Sequence, residues 1–190
     1  MPFSKFIVFP IFVALQAASM MLLTPFIKIG PGSIGGPGLV TWIAFQAWAM
    51  YFLGGCKPKM AVKTAIGYAC GIIAAIAIFT LGGVLAGPLG GYWGTALAVF
   101  IIVIPIMCAE KVQILDFIPA WFLGAGVFFA LQFMSGAGTM AAYMEIAIPE
   151  MIACVIGLFY GYCTVSFRTW YEKMVMPVTE EASEGIKKSA

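Results

Sequence analysis

Six long apolar runs divide the chain, separated by short segments rich in glycine, proline, lysine and acidic residues. They cover about Phe6 to Ile27, Leu39 to Cys56, Ala65 to Ala86, Tyr92 to Ala109, Phe117 to Met134 and Pro149 to Phe167. Crossing the roughly 30 Å hydrocarbon layer takes about 20 helical residues, so each run predicts a membrane-spanning helix, several near the lower length limit. The expected fold is all-α, an integral membrane protein with six transmembrane helices. Residues 1–170 form the predicted membrane domain and 171–190 a polar cytoplasmic tail, too poor in apolar surface to fold alone and expected to be mobile.

Two runs echo each other. Phe45 and Phe52 stand seven residues apart, as do Phe122 and Phe129, and both pairs fit F-x5-[YF]-F, displaced by 77 residues. Seven residues is close to two helical turns, which puts each pair on one helix face. A weaker Ala-Cys-x-Ile match, Ala69 to Ile72 and Ala153 to Ile156, is displaced by 84, and a longer loop after the fifth span is expected to absorb the difference. Three spans precede Tyr92 and three follow, so a repeat here enters the membrane from opposite sides: an inverted 3+3 arrangement. Gly67-x3-Gly71 and Gly157-x3-Gly161 predict close helix approach, within the monomer by default or between copies. They are not equivalent at the displacement of 84.

Between spans one and two, Gly30 to Gly38 reads as a loop, a plain connector or a folded-in segment at a pore mouth. Ala17-Ala18-Ser19 could pass for a signal-peptidase site, but the apolar run continues past it and is read as an uncleaved span. With the amino terminus inside, nine of the ten basic residues fall on the cytoplasmic side and only Lys28 outside, predicting six spans with both termini cytoplasmic.

Composition sharpens this picture. Of the 190 residues 63% are hydrophobic, against about 45 to 50% in soluble domains, and mean hydropathy is +1.03. The net charge of +2 is too small and too scattered to imply nucleic acid. Histidine is absent, which removes the commonest general base and metal ligand; the five cysteines are widely spaced without a CxxC. No catalytic residue, metal or cofactor is expected, and the chain reads as a non-enzyme.

The segments TWIAFQAWAMYFLGGCKPKMAVKTAIGYACG and LDFIPAWFLGAGVFFA resemble the second and third spans and the fifth-span motif of a small bacterial inner-membrane family, catalogued as domain of unknown function 1097. The resemblance covers Leu39 to Phe167. It implies a six-span bacterial inner-membrane protein and supplies no catalytic or binding residues.

The functional expectation is a channel or facilitator for a small uncharged solute, such as a urea-like amide or ammonia. Phe45, Phe52, Phe122 and Phe129, with Trp42 and Trp121, are the candidate pore-lining rings, because ring faces offer ions nothing in exchange for their water. Thr41 and Gln46 are candidate hydrogen-bonding groups on that path. Gln16 and Gln132 serve the same purpose or bridge helices. Glu150, after Pro149, is read as lying in the first turn of span six beside the helix dipole, or as a vestibule or proton-coupling carboxylate. With no group expected at a span centre, solute flux is predicted to ignore ion gradients. The expected partners are the lipid bilayer, the neutral solute and further copies of the chain in a homo-oligomer. The alternative is a non-transporting membrane scaffold or subunit.

Overall fold

The computed structural model describes residues 3–24, 38–136 and 138–175. The loop predicted from Gly30 and most of the carboxy-terminal tail lie outside these residues. All the described secondary structure is helical: α1 (Phe3–Phe6), α2 (Val8–Leu23), α3 (Gly38–Leu53), α4 (Pro58–Leu89), α5 (Gly91–Cys108), α6 (Ile118–Ser135) and α7 (Met140–Val175). Five segments are long and apolar enough to cross a membrane, counting α1 and α2 together as Phe3–Leu23; α3 is shorter. The multi-pass helical membrane architecture therefore stands.

Two helices outrun their predicted bounds. α4 has 32 residues and α7 has 36, which at 1.5 Å per residue makes them about 48 and 54 Å long. Hydropathy marks only where a helix is apolar, whereas the hydrogen-bond ladder continues into polar turns. Pro149 is the clearest case. The sequence places it at a helix start, but α7 begins at Met140 and Pro149 lies inside it. Its missing N–H removes only the bond to the carbonyl one turn back, that of Glu145, and the rest of the ladder carries the helix through.

Two parallel helix pairs form the core. Gly157 faces Ala44 and Ala47 while Gly161 faces Tyr51, so α3 and α7 run side by side in the same direction. Gly67 faces Ala120 while Gly71 faces Trp121 and Ala125, giving α4 and α6 the same relationship. Both glycine motifs thus pack within the chain. A methyl group on Gly157 would overlap the Ala44 carbonyl oxygen, and one on Gly71 the Trp121 carbonyl oxygen. Only glycine permits either approach.

These contacts refine the expected register. Ala44 and Trp121 are 77 residues apart, the displacement of the Phe pairs, but the glycines beneath them are 86 apart. At 86 the buried face of α4 (Thr64, Gly67, Tyr68, Gly71, Ile72, Ala75, Ile78) falls on that of α7 (Glu150, Ala153, Cys154, Gly157, Leu158, Gly161, Thr164). These faces coincide at 86 and not at the 84 of the Ala-Cys-x-Ile match, and at 86 Gly71 falls on Gly157. No longer loop takes up the difference. Positions 54–57 and 136–139 separate their helices by four residues each, and the extra length lies in the end of α6 and the start of α7.

The outer helices attach differently. α5 returns antiparallel along α4, with Gly94 against the backbone of Leu85 and Ala86 and Gly82 against Thr95. α2 crosses α7 antiparallel through polar side chains: Gln16 Nε2 donates to the Tyr160 carbonyl (3.3 Å), and Ser19 Oγ pairs with Tyr160 Oη (3.0 Å). Ser19, at the supposed cleavage site, is thus part of a helix junction. The Tyr171 hydroxyl donates to the Lys5 carbonyl (2.7 Å), so the start of α1 and the end of α7 share one end of the bundle.

Candidate functional site

The most unusual group in the core is Glu150. Its side chain is fully buried, and neither carboxylate oxygen has a hydrogen-bond partner among the described residues. It sits ten residues into α7, on the face that meets the other helices. The expected placement in a first helical turn is therefore corrected: α7 begins ten residues earlier, at Met140. Leaving a buried carboxylate unpaired costs on the order of several kcal/mol. Such a group persists where function requires it.

Tyr68 comes from the opposite pair. It is fully buried on α4, its hydroxyl is unpartnered among the described residues, and it lies within electrostatic reach of Glu150 and Cys154. Cys154, one turn beyond Glu150, is also fully buried and senses the same carboxyl. Tyr68 and Cys154 are corresponding positions at the displacement of 86, as are Thr64 and Glu150. Thr64 satisfies itself by donating to the Met60 carbonyl (2.8 Å). The α4–α7 contact thus gathers a carboxyl, a phenol and a thiol in an otherwise apolar core. Gln46, on α3, likewise has a buried Oε1 with no partner among the described residues.

The other polar candidates are engaged in holding helices together. Thr41 is buried and pairs with Thr24, which donates to the Met20 carbonyl (2.8 Å). The Trp48 indole donates to Thr164 Oγ1 (3.1 Å), which donates to Gln16 Oε1 (2.8 Å), joining α2, α3 and α7. Trp121 donates to the Leu115 carbonyl (3.1 Å) and closes the turn before α6. Gln132 is also engaged.

The aromatic candidates separate. Phe45, Phe52, Phe122 and Trp42 are exposed, the first three at 37%, 42% and 53%. Phe129 is half-buried and meets Phe79 edge-on, with ring centres 5.0 Å apart. Of the predicted aromatic pairs, the buried partners are the neighbours, Tyr51 and Phe128. The seven-residue spacing marked a face of α3 that turns outward; Tyr51 and Phe128, one position before Phe52 and Phe129 and so about 100° round the helix, carry the burial.

Two further features lie at the end of the bundle shared by α1 and the end of α7. Lys63 is nearly buried and bonds both Asp116 oxygens (2.7 and 2.8 Å), tying α4 to the turn before α6. A cavity of about 420 Å³ opens between the α3–α4 turn and α7, with Tyr51, Cys56, Tyr162, Trp170 and Lys173 among its walls. None of the predicted ring residues lines it.

Sequence reading missed Tyr68. Its signal was the helical spacing from Gly67 and Gly71, which fixes the buried face of α4. Glu150 was noticed but misplaced, because Pro149 resembles a helix start. Its presence in the core also removes the premise that no buried ionisable group exists to couple flux to a gradient.

A family model described as "Protein of unknown function (DUF1097)" matches residues 10–168, including most of the first span, which the residue-level resemblance had left out. No curated protein and no solved structure matches the chain.

Proposed function

The chain belongs to the DUF1097 family, and from the geometry of its core we propose that it is a membrane transport protein for a small uncharged solute. Urea-like amides and ammonia are the classes that suit it. The route runs between the α3–α7 pair and the α4–α6 pair, which exchange with each other under the inverted repeat that we read in the halves α1–α4 and α5–α7. One observation carries the proposal: Glu150 and Tyr68 are fully buried on the faces of α7 and α4, and their polar groups have no hydrogen-bond partner among the described residues. A solute able to donate and accept hydrogen bonds would satisfy groups that the fold leaves without partners. The buried faces of α4 and α7 match position by position at a displacement of 86, which supports the repeat, and in that reading α4 and α7 belong to different halves.

In this reading the protein resides in a bacterial inner membrane with both termini in the cytoplasm. Lys57, Lys59, Lys63 and Lys111 join Lys5 at that end of the bundle, as the charge bias of such membranes favours. Swelling of liposomes containing the protein, against urea, formamide, acetamide and glycerol, tests the proposal. Faster entry than in protein-free liposomes supports it; equal rates for every solute overturn it in favour of a non-transporting subunit. That second reading has its own support in the outward-facing Phe45, Phe52, Phe122 and Trp42, which suit lipid, a second copy or a larger complex.

A further inference from the structure

We propose that Glu150 is a proton-binding carboxyl that couples solute passage to proton movement, the proton held in the closed arrangement and released when the two helix pairs part. This rests on the transport reading and gives it a driving force.

The charges around Glu150 lead to the proton. From α4 it faces Tyr68, an unpartnered phenol, and on α7 itself Cys154. α6 and α2 carry no ionisable side chain, and that of α3, Tyr51, donates instead to the Cys56 carbonyl (3.3 Å). The cations nearest along the two helices are engaged elsewhere: Lys63 with Asp116, and Arg168 with Glu172 (2.8 Å). Among the described residues, therefore, no counter-charge accompanies the carboxyl. A divalent cation would demand about six oxygen ligands, whereas one carboxyl and one phenol are what this site offers. A proton needs a single oxygen. The O–H bond formed on Glu150 cancels its charge, and the proton comes from water on one side and returns to water on the other.

The surroundings suit a joint that opens. Pro149 precedes Glu150 and interrupts the ladder of α7 at that turn. One turn beyond Cys154, Gly157 holds α7 to α3 by backbone proximity, and Gly71 does the same for α4 and α6. These seams lie within the pairs and hold each as a unit, so movement falls to the α4–α7 contact between them, where Glu150 and Tyr68 have no side-chain hydrogen bond among the described residues to break. Tyr68 stands opposite, a hydroxyl able to accept the Glu150 proton's hydrogen bond as that contact moves.

The test uses the whole protein in phosphatidylethanolamine–phosphatidylglycerol vesicles and has two arms. Infrared difference spectra across a pH titration report protonated carboxyls. The expected result is a carboxyl carbonyl band that persists at neutral pH, is lost in Glu150→Gln and is shifted in Tyr68→Phe. No such band, or one unchanged in both variants, overturns the proton site whether or not solute moves. Should Glu150→Gln fail to fold, the shift in Tyr68→Phe decides. In the second arm a pH difference of one unit is imposed at zero membrane potential, with acetamide or urea as solute and a trapped pH dye. One-to-one coupling accumulates the solute about tenfold, with matching dye change, and Glu150→Gln reduces this to simple equilibration. Solute flux without proton flux overturns coupling and leaves the transport reading standing. If no solute moves, both fall.

Discussion

The two parallel helix pairs share a contact and differ in what surrounds it. In each, a carbonyl of the shorter helix lies over a glycine of the longer one, Ala44 over Gly157 and Trp121 over Gly71. Around that common seam the chemistry diverges. Where α4 carries Thr64, which bonds its own backbone, α7 carries Glu150, which bonds nothing described. Where α4 carries Tyr68, α7 carries Cys154. The outer helices differ in the same way: α5 is held to α4 by close backbone approach at Gly94, and α2 to α7 by the hydrogen bonds of Gln16 and Ser19. Shape is thus common to both pairs, while the unpartnered carboxyl is confined to α7. Packing tolerates that asymmetry because small residues set the helix separation and leave neighbouring positions free to vary.

The comparison breaks most directly at the seam. Gly157→Ala and Gly71→Ala should each cost about 3 kcal/mol or more, because the added methyl meets backbone that cannot move aside. Unfolding in mixed micelles measures this. Similar losses support one seam used twice, and a much smaller loss at Gly71 would show that the pairs are not equivalent.

Glu150 should respond in the opposite sense. Replacing it with Met removes an unpartnered carboxyl from the core and should raise stability by about 1 to 3 kcal/mol in the same assay. A destabilised Glu150→Met would mean that the carboxyl is a structural element with partners in the folded membrane protein. Stability gained together with transport lost is the pattern expected of a functional group.

On the α2 side, Gln16→Leu removes the bonds to Thr164 and Tyr160 and should cost about 0.6 to 2 kcal/mol, as interhelical hydrogen bonds in membranes do. Loss of α2 docking, read from protease sensitivity, should accompany it. The smallest change expected is at Gly83, inside α4 with nothing within 4 Å of an added methyl. Gly83→Ala should stabilise by about 0.5 to 1 kcal/mol through reduced backbone entropy in the unfolded state. A loss there would show that the open face of α4 is covered by something in the membrane, such as a second copy.

Much of this was legible in residue order. Apolar run length fixed the helical membrane class, because hydrocarbon accepts only backbones that satisfy their own hydrogen bonds. The Phe spacing found corresponding faces of α3 and α6, and the glycine motifs marked the close seams. The site was legible in fragments: Gln46 and Glu150 stood out as polar residues in or beside apolar runs, whereas Tyr68 was marked only by its spacing from Gly67 and Gly71, which gives the face of α4 but not the role of the hydroxyl.

What the sequence determined by itself was therefore periodic or compositional: the class, the number of apolar runs, the buried faces and the family resemblance. Tertiary structure decided which helices pair, the displacement of 86 between α4 and α7, the outward turn of Phe45 and Phe122, and the burial of Glu150. The reason is one of range. Periodicity records which side of a helix is apolar, but two apolar surroundings, lipid and protein, look alike in composition. Only the packed neighbours distinguish a ring facing the membrane from one in the core, or a carboxyl at a helix start from one enclosed ten residues along it.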